Sequence, residues 1–292
     1  MDIRQFRVSR RSAMVLAVVA GTLSLAIGAH AALYKRGADA TRSVTMSATE
    51  TAANGPAKIA LVIGNSHYPD ANTPLSQPIN DARALSTTLR RDGFDVDTVE
   101  DASKADLRQA VERLKSKIRP ESIVMLFFAG YGVQAGRESY MIPVDAAIWN
   151  ETDVRHEGTS IESVLGMMKQ RGAQAKMVVV DASRRNPYER RFRSYSHGLA
   201  PINAPDNALI LSSATPGKVV DDTKGQNSLL VTELLNNLNS QTTGAAAIFS
   251  KTRAAVAQAS EGQQVPSVSS SLLDDVNLRP VARAAATAKA GS

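Results

Sequence analysis

The chain has 292 residues, of which 43% are apolar and only 4% aromatic, so it can bury one large core built from Val, Leu, Ile and Ala rather than from rings. It contains no cysteine, which excludes disulfides, thiolate metal sites, a lipidated N-terminal cysteine and any thiol nucleophile. The four histidines, His30, His67, His156 and His197, are too dispersed for a structural zinc site. The formal charge is +6, but four arginines against Asp2 place +3 of it within residues 1–31, and the mild remainder gives no reason to expect nucleic-acid binding.

In chain order, residues 1–34 read as a signal peptide or an N-terminal membrane anchor. Arg4, Arg7, Arg10 and Arg11 form a basic start, an uncharged run extends from Ser12 to Tyr34, and Ala29-His30-Ala31 is an A-x-A cleavage pattern. Such a run is long enough to span a bilayer, which takes roughly 20 residues. Either fate places the rest of the chain outside the cytoplasmic membrane, periplasmic or anchored and facing outward, in keeping with the absence of cysteine. Residues 35–57, rich in Ala, Thr and Ser, read as a flexible linker, and 281–292 as a disordered tail.

Between these ends strands and helices alternate. Apolar runs predict strands at Lys58–Ile63, Phe94–Val99, Ser122–Phe128, Lys176–Ala182 and Ala208–Ser212. Amphipathic spacing predicts helices at Asn80–Arg91, Lys104–Ile118, Ile161–Gln170, Leu229–Leu238 and Ala245–Ala259. Unbroken apolar strands imply a sheet covered on both faces, hence a mostly parallel α/β sandwich, whose ligands sit at the carboxyl ends of the strands.

Two of those ends read Ala129-Gly130-Tyr131-Gly132 and Asp181-Ala182-Ser183-Arg184. With Ile59-Ala-Leu-Val-Ile-Gly-Asn65, Tyr68, Leu75, Pro78, Asn80-Asp81-Ala82, Tyr140-Met-Ile-Pro-Val-Asp-Ala146, Ala214-Thr-Pro-Gly217, Asn227-Ser228, Gln264-Val-Pro266 and Ser270-Ser-Leu272, they stand in an order that resembles the bacterial caspase-like peptidases of the metacaspase and orthocaspase type. The resemblance covers residues 58–280 and implies a caspase-like three-layer sandwich. It also implies a histidine base at position 131 and a cysteine nucleophile at position 183, where this chain has Tyr131 and Ser183. Gly130 and Gly132 fall where oxyanion contacts are expected, and Asp81 and Asp181 where metacaspase-type members hold a basic side chain.

The chemistry needs a thiolate and an imidazole poised near working pH, with pKa values near ~8.5 and ~6.5. A phenol is protonated and donates, so Tyr131 and Ser183 are expected to be an inactive remnant of the dyad. For a serine-dependent hydrolase, Ser183 would need His67 or His197 as base, and no acidic residue is placed by sequence alone to orient either ring. Asp81 and Asp181 have two open readings: a pocket for a guanidinium, or a helix cap and a strand-end acceptor. The run Arg184, Arg185, Arg190, Arg191 and Arg193 reads as a solvated loop, as a patch for acidic partners or lipid headgroups, or as the source of an arginine that folds back onto Asp81 and Asp181. Gly130, Gly132 and Gly136 follow a strand but precede another strand, not the helix that a dinucleotide fingerprint requires. With no Walker motif or metal triad either, no cofactor or metal is expected. The resulting expectation is a non-catalytic caspase-fold domain that binds basic peptide or protein segments, or regulates an active caspase-like relative. The alternative is an active caspase-type endopeptidase or a serine hydrolase.

Overall fold

In the computed structural model, the described residues are 56–69, 74–188, 192, 198–220, 225–240 and 244–279. The expected targeting segment, most of the linker and the C-terminal tail lie outside them, as do His30, His197, Arg190, Arg191 and Arg193.

Strands β1 (Lys58–Gly64), β2 (Asp95–Glu100), β3 (Ile123–Ala129), β7 (Ala175–Asp181), β8 (Ala208–Ser212) and β9 (Ser267–Ser270) form one sheet in the order β2-β1-β3-β7-β8-β9. All neighbours are parallel except β9, which runs antiparallel along β8. A small antiparallel sheet, β4 (Gly132–Ala135), β5 (Glu138–Met141) and β6 (Thr159–Ser160), begins just after the end of β3.

Helices are α1 (Pro78–Arg91), α2 (Lys104–Lys117), α3 (Glu151–Glu157), α4 (Ile161–Gln170), α5 (Leu229–Asn239) and α6 (Ala245–Ala259). All five predicted strands and five predicted helices are present with ends within about two residues, the usual uncertainty of a helix end. The elements that escaped prediction are short or weakly apolar. β9 is Ser-Val-Ser-Ser, with one apolar residue, and exists because β8 offers it a pairing edge. α3 buries a single residue, Val154, β4 starts on a glycine of the Gly-rich stretch, and β6 is only two residues long.

Alternation along each strand sorts the core into two layers. Ile59, Leu61, Ile63, Leu126, Phe128, Val178 and Val180 pack against α2 and α4 through Leu107, Leu114, Val164, Leu165 and Met168. Their neighbours Ala60, Val62, Met125, Phe127, Met177 and Val179 face α1, α5 and α6 through Leu85, Leu89, Leu234, Ile248 and Phe249. This is a three-layer α/β sandwich. Helix starts follow local chemistry: Ser103 and Asp106 form a capping box on α2, Asn150 and Asp153 on α3, and Ser228 caps α5 by accepting from the Val231 amide. Gly64 lets α1 close onto β1, since a Cβ there would collide with the Pro78 carbonyl.

Phe128 is fully buried, whereas Leu273 is 85% exposed. Phe128→Ala should therefore lower unfolding free energy by ~3–5 kcal/mol and Leu273→Ala by less than ~0.5 kcal/mol, both measured by urea denaturation.

Candidate functional site

Parallel pairing sets Gly64, Ala129 and Asp181 side by side at the carboxyl ends of β1, β3 and β7. The segments leaving those ends carry Asn65-Ser-His-Tyr68, Gly130-Tyr-Gly132 and Ala182-Ser-Arg184. Side chains tie them together. Asn65 donates to the Ile142 carbonyl at 3.1 Å and accepts from the Ala102 amide at 2.9 Å. The buried Tyr68 hydroxyl donates to the Ile142 carbonyl and accepts from the Tyr131 amide, both at 3.0 Å. Tyr131 sits half-buried and edge-on to the Tyr68 ring, with centroids 4.7 Å apart.

Gly130 and Gly132 do not present free donors. Their amides donate to the carbonyls of Asp181 and Ala182, each at 3.3 Å, and the Ser183 amide points to the Ser213 hydroxyl at 3.4 Å. Each of the two glycine N–H groups is thus hydrogen-bonded within the fold. A Cβ at Gly130 would also lie 2.5 Å from the Tyr68 hydroxyl, so its absence is a packing requirement of the strand end. Ser183 is buried at 2% exposure.

Asp81 and Asp181 lie near enough for the charge of one to act on the other. Asp81, fully buried in the first turn of α1, does not cap its own helix: α1 has no side-chain cap. Its Oδ1 instead accepts from the Asn227 side chain at 2.8 Å and from the Ser228 amide at 3.0 Å, anchoring the start of α5. Asp181 is 4% exposed, and among the described residues no backbone amide donates to its carboxylate. The second oxygen of each, Oδ2, is buried without a hydrogen-bond partner among the described residues. Burial, and then repulsion from Asp181, push the Asp81 carboxyl up to about 7 against the donors from Asn227 and Ser228.

Arg184 departs from the solvated-loop reading. It is 7% exposed, while Arg185 is exposed. Its Nη1 donates to the carbonyls of Asp181 and Gly130, and stands 3.8 Å from Asp181 Oδ1. An arginine thus does reach Asp181, but as a clamp on two strand-end carbonyls, leaving both Oδ2 atoms unmatched.

His67 also differs from expectation. Asp101, in a left-handed backbone conformation at φ 46°, accepts from the Ser66 and His67 amides and lies 2.5 Å from His67 Nδ1. Partial burial raises the Asp101 carboxyl, but those amides and the imidazole outweigh it and hold the group below the usual carboxylate range. An orienting acid therefore exists, and the register Gly64↔Glu100 was the signal, because it puts residue 101 beside the loop after β1. No hydrogen bond joins His67 to Ser183 among the described residues, and the ring is largely exposed while Ser183 is buried. Nor do three or more His, Asp or Glu side chains among the described residues gather as a metal site.

A profile of the caspase domain matches residues 57–277. The chain belongs to the caspase-domain family. Human mucosa-associated lymphoid tissue lymphoma translocation protein 1 is 28% identical over 134 residues, and its mouse homolog matches to the same extent. These alignments cover 45% of this chain and 16% of either relative, so the shared part is a small portion of those proteins. The caspase-domain match spans all six strands of the main sheet and all six helices, and thus includes positions 131 and 183.

Asp81 in the folded chain has its carboxyl raised above the ordinary value. The stability tied to its protonated form is thus complete at acid pH and is lost as pH rises towards about 7. Asp81→Asn keeps an acceptor for Asn227 and Ser228 and buries no charge. Its melting temperature should exceed that of the natural chain by a margin that grows by several degrees from ~pH 5 to ~pH 8. An equal margin at both would show that the carboxyl titrates normally.

Proposed function

We propose that this caspase-fold domain is non-catalytic and binds basic peptide or protein segments through Asp81 and Asp181. The observation that carries the reading is a contrast within one site. Positions 131 and 183 hold a phenol and a hydroxyl instead of an imidazole and a thiol, and the amides around them are committed inside the fold. Two buried carboxylates nearby keep oxygens without partners. A lysine ammonium or arginine guanidinium supplies the missing donors and the missing positive charge together. A serine hydroxyl needs a positioned base to lose its proton, and losing one member of such a unit costs ~10⁴ to 10⁶ in rate.

The basic start, apolar run and A-x-A pattern of residues 1–34 support export of the domain to the periplasm or to the outer side of the cytoplasmic membrane. Among the described residues no helix is long and apolar enough to cross a membrane. Partners of this proposed module are basic segments of other envelope proteins, including an active caspase-like relative.

One observation favours a second reading, a serine-dependent hydrolase: Asp101 holds the His67 ring as an orienting acid holds a catalytic base. Reporter peptides with Arg, Lys or Asp before the scissile bond separate the two. The natural chain should leave all three intact. In fluorescence anisotropy it should bind a labelled Arg peptide at least ~10-fold more tightly than its Ala counterpart. Cleavage by the natural chain that disappears in Ser183→Ala would overturn the proposal in favour of the hydrolase.

A further inference from the structure

Among the described residues, the charges buried at the strand ends do not balance. Asp81 and Asp181 bring two negative charges, and Arg184 brings one positive charge, placed 3.8 Å from Asp181 Oδ1 and committed to the Gly130 and Asp181 carbonyls. From the α5 side Asp81 meets only neutral groups, the Asn227 side chain and the Ser228 amide. Counted over the described residues, with both carboxyls ionised the cluster carries one uncompensated negative charge, buried with two unpartnered oxygens. An isolated buried charge costs enough that such a group takes up a proton or a counter-ion.

We infer that the acidic pair is a proton-linked cation site: when empty it retains a proton, and an entering guanidinium or ammonium expels that proton to solvent. The inference rests on the proposed role of Asp81 and Asp181 and adds the regulation of that role by pH. The exchange conserves charge, since one cation enters and one proton leaves. The proton sits on Asp81, because the Arg184 guanidinium stands by Asp181, and the upward shift of the Asp81 carboxyl agrees with that location. The consequence is a module whose grip on basic segments tightens as its surroundings become alkaline and slackens on acidification.

The test is isothermal titration calorimetry of the full-length chain with acetyl-Ala-Arg-amide, using acetyl-Ala-citrulline-amide as the neutral isostere. Titrations run from pH 6 to pH 8 in buffers of differing ionisation enthalpy. The dissociation constant should tighten ~10-fold across that interval, with close to one proton released per peptide at the acid end and almost none at the alkaline end. The citrulline peptide should bind weakly at every pH. In Asp81→Asn both the pH slope and the released proton should vanish. Binding of the arginine peptide with a flat pH profile and no proton release would overturn the inference and leave the cation pocket standing. Absence of binding at every pH would overturn both. Should Asp81→Asn fail to fold, carbon NMR of the Asp81 carboxyl in the natural chain decides: a midpoint near 7 that disappears with saturating peptide supports the linkage, and a midpoint in the ordinary carboxylate range refutes it.

Discussion

The parallel pairing of β1, β3 and β7 puts Gly64, Ala129 and Asp181 opposite one another, and everything at the site hangs from that alignment. Parallel strands end together at one edge of the sheet, so three loops with unrelated sequences start within a few ångströms of each other. The alignment also leaves strand-end carbonyls pointing into the site. The backbone answers one side of this, with the Gly130 and Gly132 amides donating to Asp181 and Ala182. A guanidinium answers the other, since Arg184 reaches the carbonyls of Gly130 and Asp181. The same constraint that organises the site thus pairs the Gly130 and Gly132 amides with carbonyls of the neighbouring strand end.

Buried electrostatics set the second condition. Asp81 uses one oxygen structurally, holding the start of α5 through Asn227 and Ser228. That role alone would be met by a neutral amide, without the cost of a second buried charge beside Asp181. Asp101 shows the contrast. Its carboxylate gathers two amides and an imidazole, and its proton affinity falls. Two carboxylates on the same edge of the sheet are therefore tuned in opposite directions, one by donors and one by burial beside a like charge.

Much of this was legible in the sequence, for physical reasons that differ by element. Strands buried on both faces must be apolar without interruption, as Ile123–Ala129 and Ala175–Asp181 nearly are. Helices of ten or more residues with one buried face carry enough periodic positions to be found. β9 could not be found, since an edge strand of three serines and a valine derives its structure from its neighbour. The site residues divide along the same line. Tyr131, Ser183, Asp81 and Asp181 stand inside local motifs and could be named from them. The pairing of Asp101 with His67 across 34 positions, and the burial of Arg184 within what reads as a solvated basic loop, depend on strand register and are set only by the folded chain.

In the proposed reading, cleavage and cation binding would fall to different atoms of the fold, and that separation is what makes a non-catalytic reading coherent. In that reading, proton transfer and attack would fall to positions 131 and 183, which here hold a phenol and a hydroxyl. The field around Asp81 and Asp181 is set by burial, by their mutual repulsion and by Arg184, none of which needs the dyad. Buried polar atoms without partners are few in folded proteins, and each calls for a physical explanation. Here neither Oδ2 atom has a partner among the described residues, and a buried carboxylate without one costs stability. The proposed exchange of a proton for a positive ligand group would give both oxygens a partner at once.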